Sequence, residues 1–300
     1  MRSVLLVVHT GRVGAIEAAR EAAHRLGKEG MHVRVLTQDE EALAFDRAET
    51  VQAIDGGEDV ELVMVFGGDG TILRGAELAR GAGAPVLGVN LGHVGFLAES
   101  ERDDLDVTID HVVRGDYAVE ERMTIDVVVR LDGDVVSTGW ALNEASVEKS
   151  ARERMLELVV EVDGRPLSRW GGDGIVAATP TGSTAYAFSA GGPIVWPSVE
   201  ALLVVPLSAH ALFARPMVVA PTSVVAAELL SENQSPGVVW YDGRRTEVLP
   251  PGGRVEVRRG AHPVRLARLH QPPFTDRLVG KFNLPVEGWR GQRPSTGRKR

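Results

Sequence analysis

The chain has 300 residues and not one cysteine, which removes disulfides, thiolate metal sites and cysteine nucleophiles from consideration. The absence fits a reducing compartment, and a cytoplasmic location is expected. Lysine is scarce, with only Lys28, Lys149, Lys281 and Lys299. No G-x-x-x-x-G-K-[ST] occurs, so there is no P-loop, and neither a G-x-G-x-x-G fingerprint nor a protein-kinase signature is present. No apolar run approaches the roughly 18 residues a spanning helix needs. The start offers only Val4 to Val8 as a strongly apolar stretch, short of the roughly 7–15 residues of a signal-peptide core, so no membrane attachment is expected. The eight histidines show no metal-ligand spacing, and no protein-held metal site is expected. A net charge of -8 argues against a duplex nucleic-acid partner.

What remains is an ordinary globular composition, 44% apolar and 25% charged, long enough for two domains. In the first third, strands and helices alternate. Ser3 to His9, His32 to Leu36, Glu61 to Phe66 and Val86 to Asn90 read as strands. Ala15 to Leu26 (ended by Gly27 and Gly30), Ile72 to Arg80 and Asp103 to Arg114 read as helices. Such alternation means a parallel sheet with helices on its faces. Near Tyr117 the pattern changes to short strand-like runs separated by turn signals such as Asp132-Gly133, Asp163-Gly164, Asp242-Gly243 and Gly252-Gly253. That half reads as an antiparallel sandwich or distorted barrel. The expected fold is therefore an N-terminal α/β domain with a Rossmann-like parallel sheet, residues 1–116, and an all-β, sandwich-like domain, residues 117–268. A segment 269–288, with a short helix at Phe274 to Phe282, and a basic disordered tail, 289–300, complete the division. Clefts between domains are common ligand sites, so the chemical motifs are expected on loops facing the junction.

Four segments carry chemistry. In Gly67-Gly68-Asp69-Gly70-Thr71 a strand enters and a helix leaves. The glycines let the backbone approach a ligand, and amides at the helix start can face phosphate oxygens. Asp69 would repel phosphate, so positioning or deprotonating a hydroxyl suits it. The plainer reading is a tight turn in which Asp69 caps the helix. The second segment, Gly172 to Tyr186, runs from a strand into a stretch dense in hydroxyls that can bind a sugar or polar heterocycle, with Tyr186 placed to pack on a ring. It continues through Ser189 to Pro193; an ordinary loop is the alternative. Asn143-Glu144 at a strand end can hold base edges or ribose hydroxyls, but as a pair it is common on surfaces. Gly92 to Leu97 could wall a cleft, with His93 read as structural.

Together Gly67–Thr71 and Asp173–Gly192, which reads DGIVAATPTGSTAYAFSAGG, resemble the NAD kinase family. The GGDGT turn alone is shared with phosphofructokinases and with diacylglycerol and sphingolipid kinases; the second segment is far more specific. Asn143-Glu144 lies between the two, as the family expects, and the resemblance runs to about Gly288. It implies an NAD kinase/diacylglycerol kinase-like fold, assembled as a homodimer or homotetramer, with the last segment packed on the first domain. The implied reaction moves a phosphoryl group from ATP, or from polyphosphate, to the 2′-hydroxyl of the adenosine ribose of NAD, with Mg²⁺ or another divalent cation. By the same resemblance Asp69 acts on that hydroxyl, and Gly67, Gly68 and Thr71 lie at the phosphates. The implied NAD set is Gly70, Arg74, Asn143, Glu144, Arg154, Asp173, Thr184, Ala185, Tyr186, Ala187, Phe188 and Ser189. Arg152 is an alternative to Arg154, and His210 approaches the site. Gly172 makes a second Gly-Gly-Asp-Gly turn, which is not read as catalytic. Two rivals stand: a lipid or sugar kinase sharing the turn, and a non-catalytic NAD(P) sensor.

Overall fold

The computed structural model describes residues 2–43, 49–51, 60–90, 95–101, 104–150, 154–270 and 273–286. Expectations attached to Gly92, His93, Arg152 and the basic tail lie outside the described residues. The chain divides into two compact units. One holds the residues up to Val119 and those from Ala267 onward; the other is Glu120–Leu266.

The first unit is built on a sheet whose leading strands are β1 (Ser3–Val8), β2 (His32–Leu36), β3 (Glu49–Val51), β4 (Leu62–Phe66) and β5 (Val86–Asn90). They run parallel in the order β3-β2-β1-β4-β5, followed by the strand Val264–Arg268 and then Ala118–Arg122. Every residue of β1, β4 and β5 is buried. That is why these strands read as unbroken Val/Leu runs instead of alternating ones: a parallel strand is covered on both faces. The covering helices are α1 (Val13–Lys28), α2 (Glu40–Leu43), α3 (Asp69–Ala79) and α4 (Leu105–Arg114). Ala15, Ala18, Ala22 and Leu26 set the buried stripe of α1 against Val4, Leu6 and Val33. Each large aliphatic side chain so buried stabilises the fold by about 1.5–3 kcal/mol.

Two helix boundaries differ from the sequence reading. Helix α1 passes through Gly27 and stops at Lys28, with Gly30 at φ +77° turning the chain away. A glycine inside a helix costs only about 1 kcal/mol, which packing of the alanine face offsets. Helix α3 begins at Asp69, three residues before Ile72, so the acidic residue belongs to the helix and not to the turn ahead of it.

The second unit holds two six-stranded antiparallel sheets among the described residues. One contains the strands Glu144–Lys149, Gly174–Ala178, Leu202–Leu207, Met217–Val219, Gly237–Tyr241 and Arg245–Leu249. The other contains Ile125–Leu131, Asp134–Ala141, Leu156–Val162, Arg165–Gly172, Val225–Leu229 and Arg254–Arg259. Ile125, Val127, Leu158 and Val160 of the second sheet share a core with Val147, Ile175 and Val239 of the first. This is a sandwich, as the alternation of buried and less buried residues in Ile125–Leu131 requires. Asp132-Gly133 and Asp163-Gly164 are two-residue hairpin connections in which both residues have positive φ, the type I′ condition.

Candidate active site

In the first unit the site begins where β4 ends. The Gly67 amide donates to the Val89 carbonyl, which ties the turn to β5. Gly68 is the N-cap and makes no side-chain capping bond; its carbonyl accepts from the amides of Thr71 and Ile72 at 2.9 and 3.1 Å. The Asp69 carboxylate is committed elsewhere. Its Oδ1 accepts from the Leu97 amide at 3.2 Å and its Oδ2 from the Phe96 amide at 3.4 Å. The capping alternative is thus not what the structure contains. A Cβ at Gly95 would stand 2.6 Å from Asp69 Oδ1, so only glycine lets this loop come close enough to hold the carboxylate. Asp69 is half-buried and Gly70 is exposed beside it. Thr71 is buried, its side chain filling the space a Cβ at Gly67 would need. Further along α3, Nη2 of Arg74 donates to both oxygens of the buried Asp39 carboxylate, at 3.0 and 3.2 Å, which ties down that end of its guanidinium.

In the second unit the structure brings Asn143-Glu144 against the hydroxyl-rich segment. Glu144 pairs with Ala178 across the sheet, the Thr179 amide donates to the Asn143 carbonyl, and the Thr179 hydroxyl donates to the Leu142 carbonyl. Thr179 Oγ1 also accepts from the Gly182 amide, which holds the short helical turn Thr181–Thr184 in place. Tyr186–Ser189 forms a single helical turn, α5. Tyr186, Phe188 and Ser189 are exposed, and Thr184 and Ala185 are half-buried. Ala187 points the other way, fully buried with Val176, Leu203 and Val205, and anchors the turn.

Charge at this place is arranged by burial. Glu144 is buried, its Oε2 has no hydrogen-bond partner among the described residues, and desolvation pushes its pKa up to about 8. Asp242 is also raised, first by burial, while the amides of Leu142, Asn143 and Glu144 that donate to it act in the opposite sense. Those contacts are 3.0, 2.6 and 3.4 Å. Asp173 goes the other way: Lys149, 2.5 Å from its carboxylate, holds its pKa below the ordinary range. Lys149 also lines a cavity of about 720 Å³ in this unit, with Arg154, Arg169, Trp170, His210 and Glu232 among its walls. Among the described residues no three His, Asp or Glu side chains gather to hold a metal ion.

The sequence reading missed Asp242, taken only as half of an Asp-Gly turn, and the Phe96 and Leu97 amides. Asp242 lies 100 positions from Leu142 in the chain, and nothing local marks the pairing. A glycine at 95 just ahead of Phe96 was a faint signal of close approach for the other contact.

An α/β unit with a carboxylate at the first position of the helix after β4, and a β-sandwich unit carrying a hydroxyl-rich loop, are the features of a class of kinases that act on small molecules. Residues 4–117 match the family model of the ATP-NAD kinase N-terminal domain, and residues 142–269 that of the ATP-NAD kinase C-terminal domain. The chain is 61% identical to "NAD kinase 2" of Streptomyces coelicolor over 297 residues, covering 97% of each chain. Among solved structures, yeast NADH kinase complexed with NADH superposes with TM-score 0.88 at 23% identity, covering 98% of this chain and 90% of that one. An NAD kinase from Archaeoglobus fulgidus in complex with ATP superposes with TM-score 0.71 at 25% identity, covering 94% and 99%. The chain belongs to the ATP-NAD kinase family.

Proposed function

We propose that this protein transfers the terminal phosphoryl group of ATP to the 2′-hydroxyl of the adenosine ribose of NAD, giving ADP and NADP. The observation that carries the reading is a half-buried carboxylate, Asp69, at the first position of α3 beside the exposed Gly70. Its relatives' names point to the same activity, and the archaeal neighbour was crystallised with ATP.

In this reading Asp69 orients the ribose hydroxyl and takes its proton as the oxygen bonds to phosphorus. Gly67, Gly68 and Thr71 form the phosphate end, where helix-start amides and the helix dipole favour negative charge. Gly70 and Arg74 stand beside them. ATP enters as its complex with a divalent cation carried on the phosphates. Phosphoryl transfer depends on alignment and charge neutralisation more than on covalent chemistry, so one positioned base and a rigid cradle suffice.

The NAD end falls to Asn143, Glu144, Arg154, Asp173 and the turn Thr184–Ser189. Glu144, raised to about 8, is protonated at neutral pH. It offers a hydroxyl donor and adds no negative charge next to an anionic dinucleotide. Exposed Tyr186 gives a ring face for stacking. A homodimeric or homotetrameric assembly and a cytoplasmic location complete the reading; among the described residues no helix is long and apolar enough to cross a membrane.

The test is incubation of the purified protein with ATP and, separately, NAD, diacylglycerol and fructose 6-phosphate, followed by product analysis. NADP from NAD alone is expected. Phosphorylated lipid or sugar without NADP overturns the reading, and NAD binding without turnover would mark a sensor. A polyphosphate arm in place of ATP reads the donor.

A further inference from the structure

The strand Val264–Arg268 and the helix α6 (Phe274–Phe282) grip the loop that holds Asp69. Glu99, whose side chain is fully buried, pairs with Arg268 at 2.9 Å and Arg277 at 2.8 Å, and accepts from the His270 amide at 2.8 Å. The same guanidiniums reach the backbone beside it. Arg268 donates to the Leu97 carbonyl at 3.2 Å; Arg277 donates to the Phe96 carbonyl at 3.4 Å and, more closely, to the Ala98 carbonyl. The Phe96 ring packs on Phe274 and Phe282 of α6, with centroids 5.9 Å apart in both pairs.

The Phe96 carbonyl and the Leu97 amide belong to one peptide group. Its oxygen faces Arg277 and its N–H faces Asp69 Oδ1. We propose that Arg277 is a positioning residue for Asp69: clamped on Glu99, its guanidinium orients and polarises the Phe96–Leu97 peptide that holds the Asp69 carboxylate. A cation on the carbonyl oxygen strengthens the N–H at the other end as a donor, because linked hydrogen bonds polarise one another. A planar fork holds several acceptors in one geometry, which an ammonium cannot do. The Arg268–Glu99 pair survives loss of Arg277, so the buried carboxylate keeps a partner and the unit keeps its reason to fold.

The inference rests on Asp69 acting in the reaction, and the experiment separates the two. Asp69→Asn, Arg277→Met, Arg277→Lys and the double variants with Asp69→Asn are measured in the full chain for kcat and for KM of NAD and ATP. Arg277→Met is expected to lower kcat about 10–100-fold, the scale of a small misplacement of a reacting group. Both KM values should hold within about twofold, because substrate binding is not what is lost. Arg277→Lys should fall between Met and wild type. On the Asp69→Asn background the Arg277 substitutions should cost nothing further, since residues acting as a unit are not additive. An unchanged kcat in Arg277→Met, or the same fold loss on both backgrounds, overturns the inference. Should Arg277→Met not fold, Arg277→Lys carries the same cycle, and an additive loss there is equally fatal. Full activity of Asp69→Asn instead sinks the functional reading itself.

Discussion

Gly182 lies so close to Asn143 that a Cβ on it would stand 2.0 Å from the Asn143 carbonyl oxygen. The hydroxyl-rich turn and the Asn-Glu pair are therefore seated on each other backbone to backbone, with Thr179 bonding both. Two motifs separate in the sequence form one packed unit.

Gly182→Ala must push these backbones apart. Overpacking of this kind costs about 1–3 kcal/mol, which a shift of the denaturation midpoint would read. KM for NAD should rise about tenfold, the equivalent of about 1.4 kcal/mol of lost binding, with KM for ATP much less affected. Equal changes in both would mean that the contact supports the fold without shaping an NAD site.

Asp242→Ala strands the amides of Leu142, Asn143 and Glu144, all buried residues. A buried donor left without its acceptor costs about 1–3 kcal/mol. We expect a loss of at least that size in urea unfolding, together with weaker NAD binding by calorimetry. Asp242→Asn keeps one acceptor oxygen and should lose less on both readouts.

Glu144 makes stability depend on pH in a defined direction. Its folded pKa of about 8 lies above the ordinary carboxylate value of 4.5, so between those values the native state holds a proton that the unfolded chain has released. Stability from this group is full below the lower value and declines as pH rises to the upper one. Glu144→Gln, which keeps the shape and cannot ionise, should flatten that decline when unfolding is followed from pH 5 to pH 8.5. A slope identical to that of wild type would show that Glu144 ionises normally.

The fold class was readable because it rests on local signals. Unbroken Val/Leu runs in Ser3–Val8 and Leu62–Phe66 mark buried parallel strands, and Asp-Gly pairs at 132 and 163 mark hairpins. The turn at Gly67–Thr71 and the segment ending at Tyr186 were readable for the same reason: each is a compact run with its own backbone chemistry. Contacts that depend on distant residues left no trace in the sequence. Asp242 reaching Leu142, Arg277 reaching Phe96 and Arg268 reaching Glu99 each join residues separated by at least 100 positions. Even Asp69 was readable only as a carboxylate in a turn; its tie to Phe96 and Leu97 depends on how two strand ends meet.

The most direct measurement is NADP formation by Asp69→Asn, with NAD affinity determined on the same preparation. A positioned base contributes about 10²–10⁴-fold, and a drop in kcat of that size with NAD still bound is the expected result. Wild-type turnover by this variant would contradict the account.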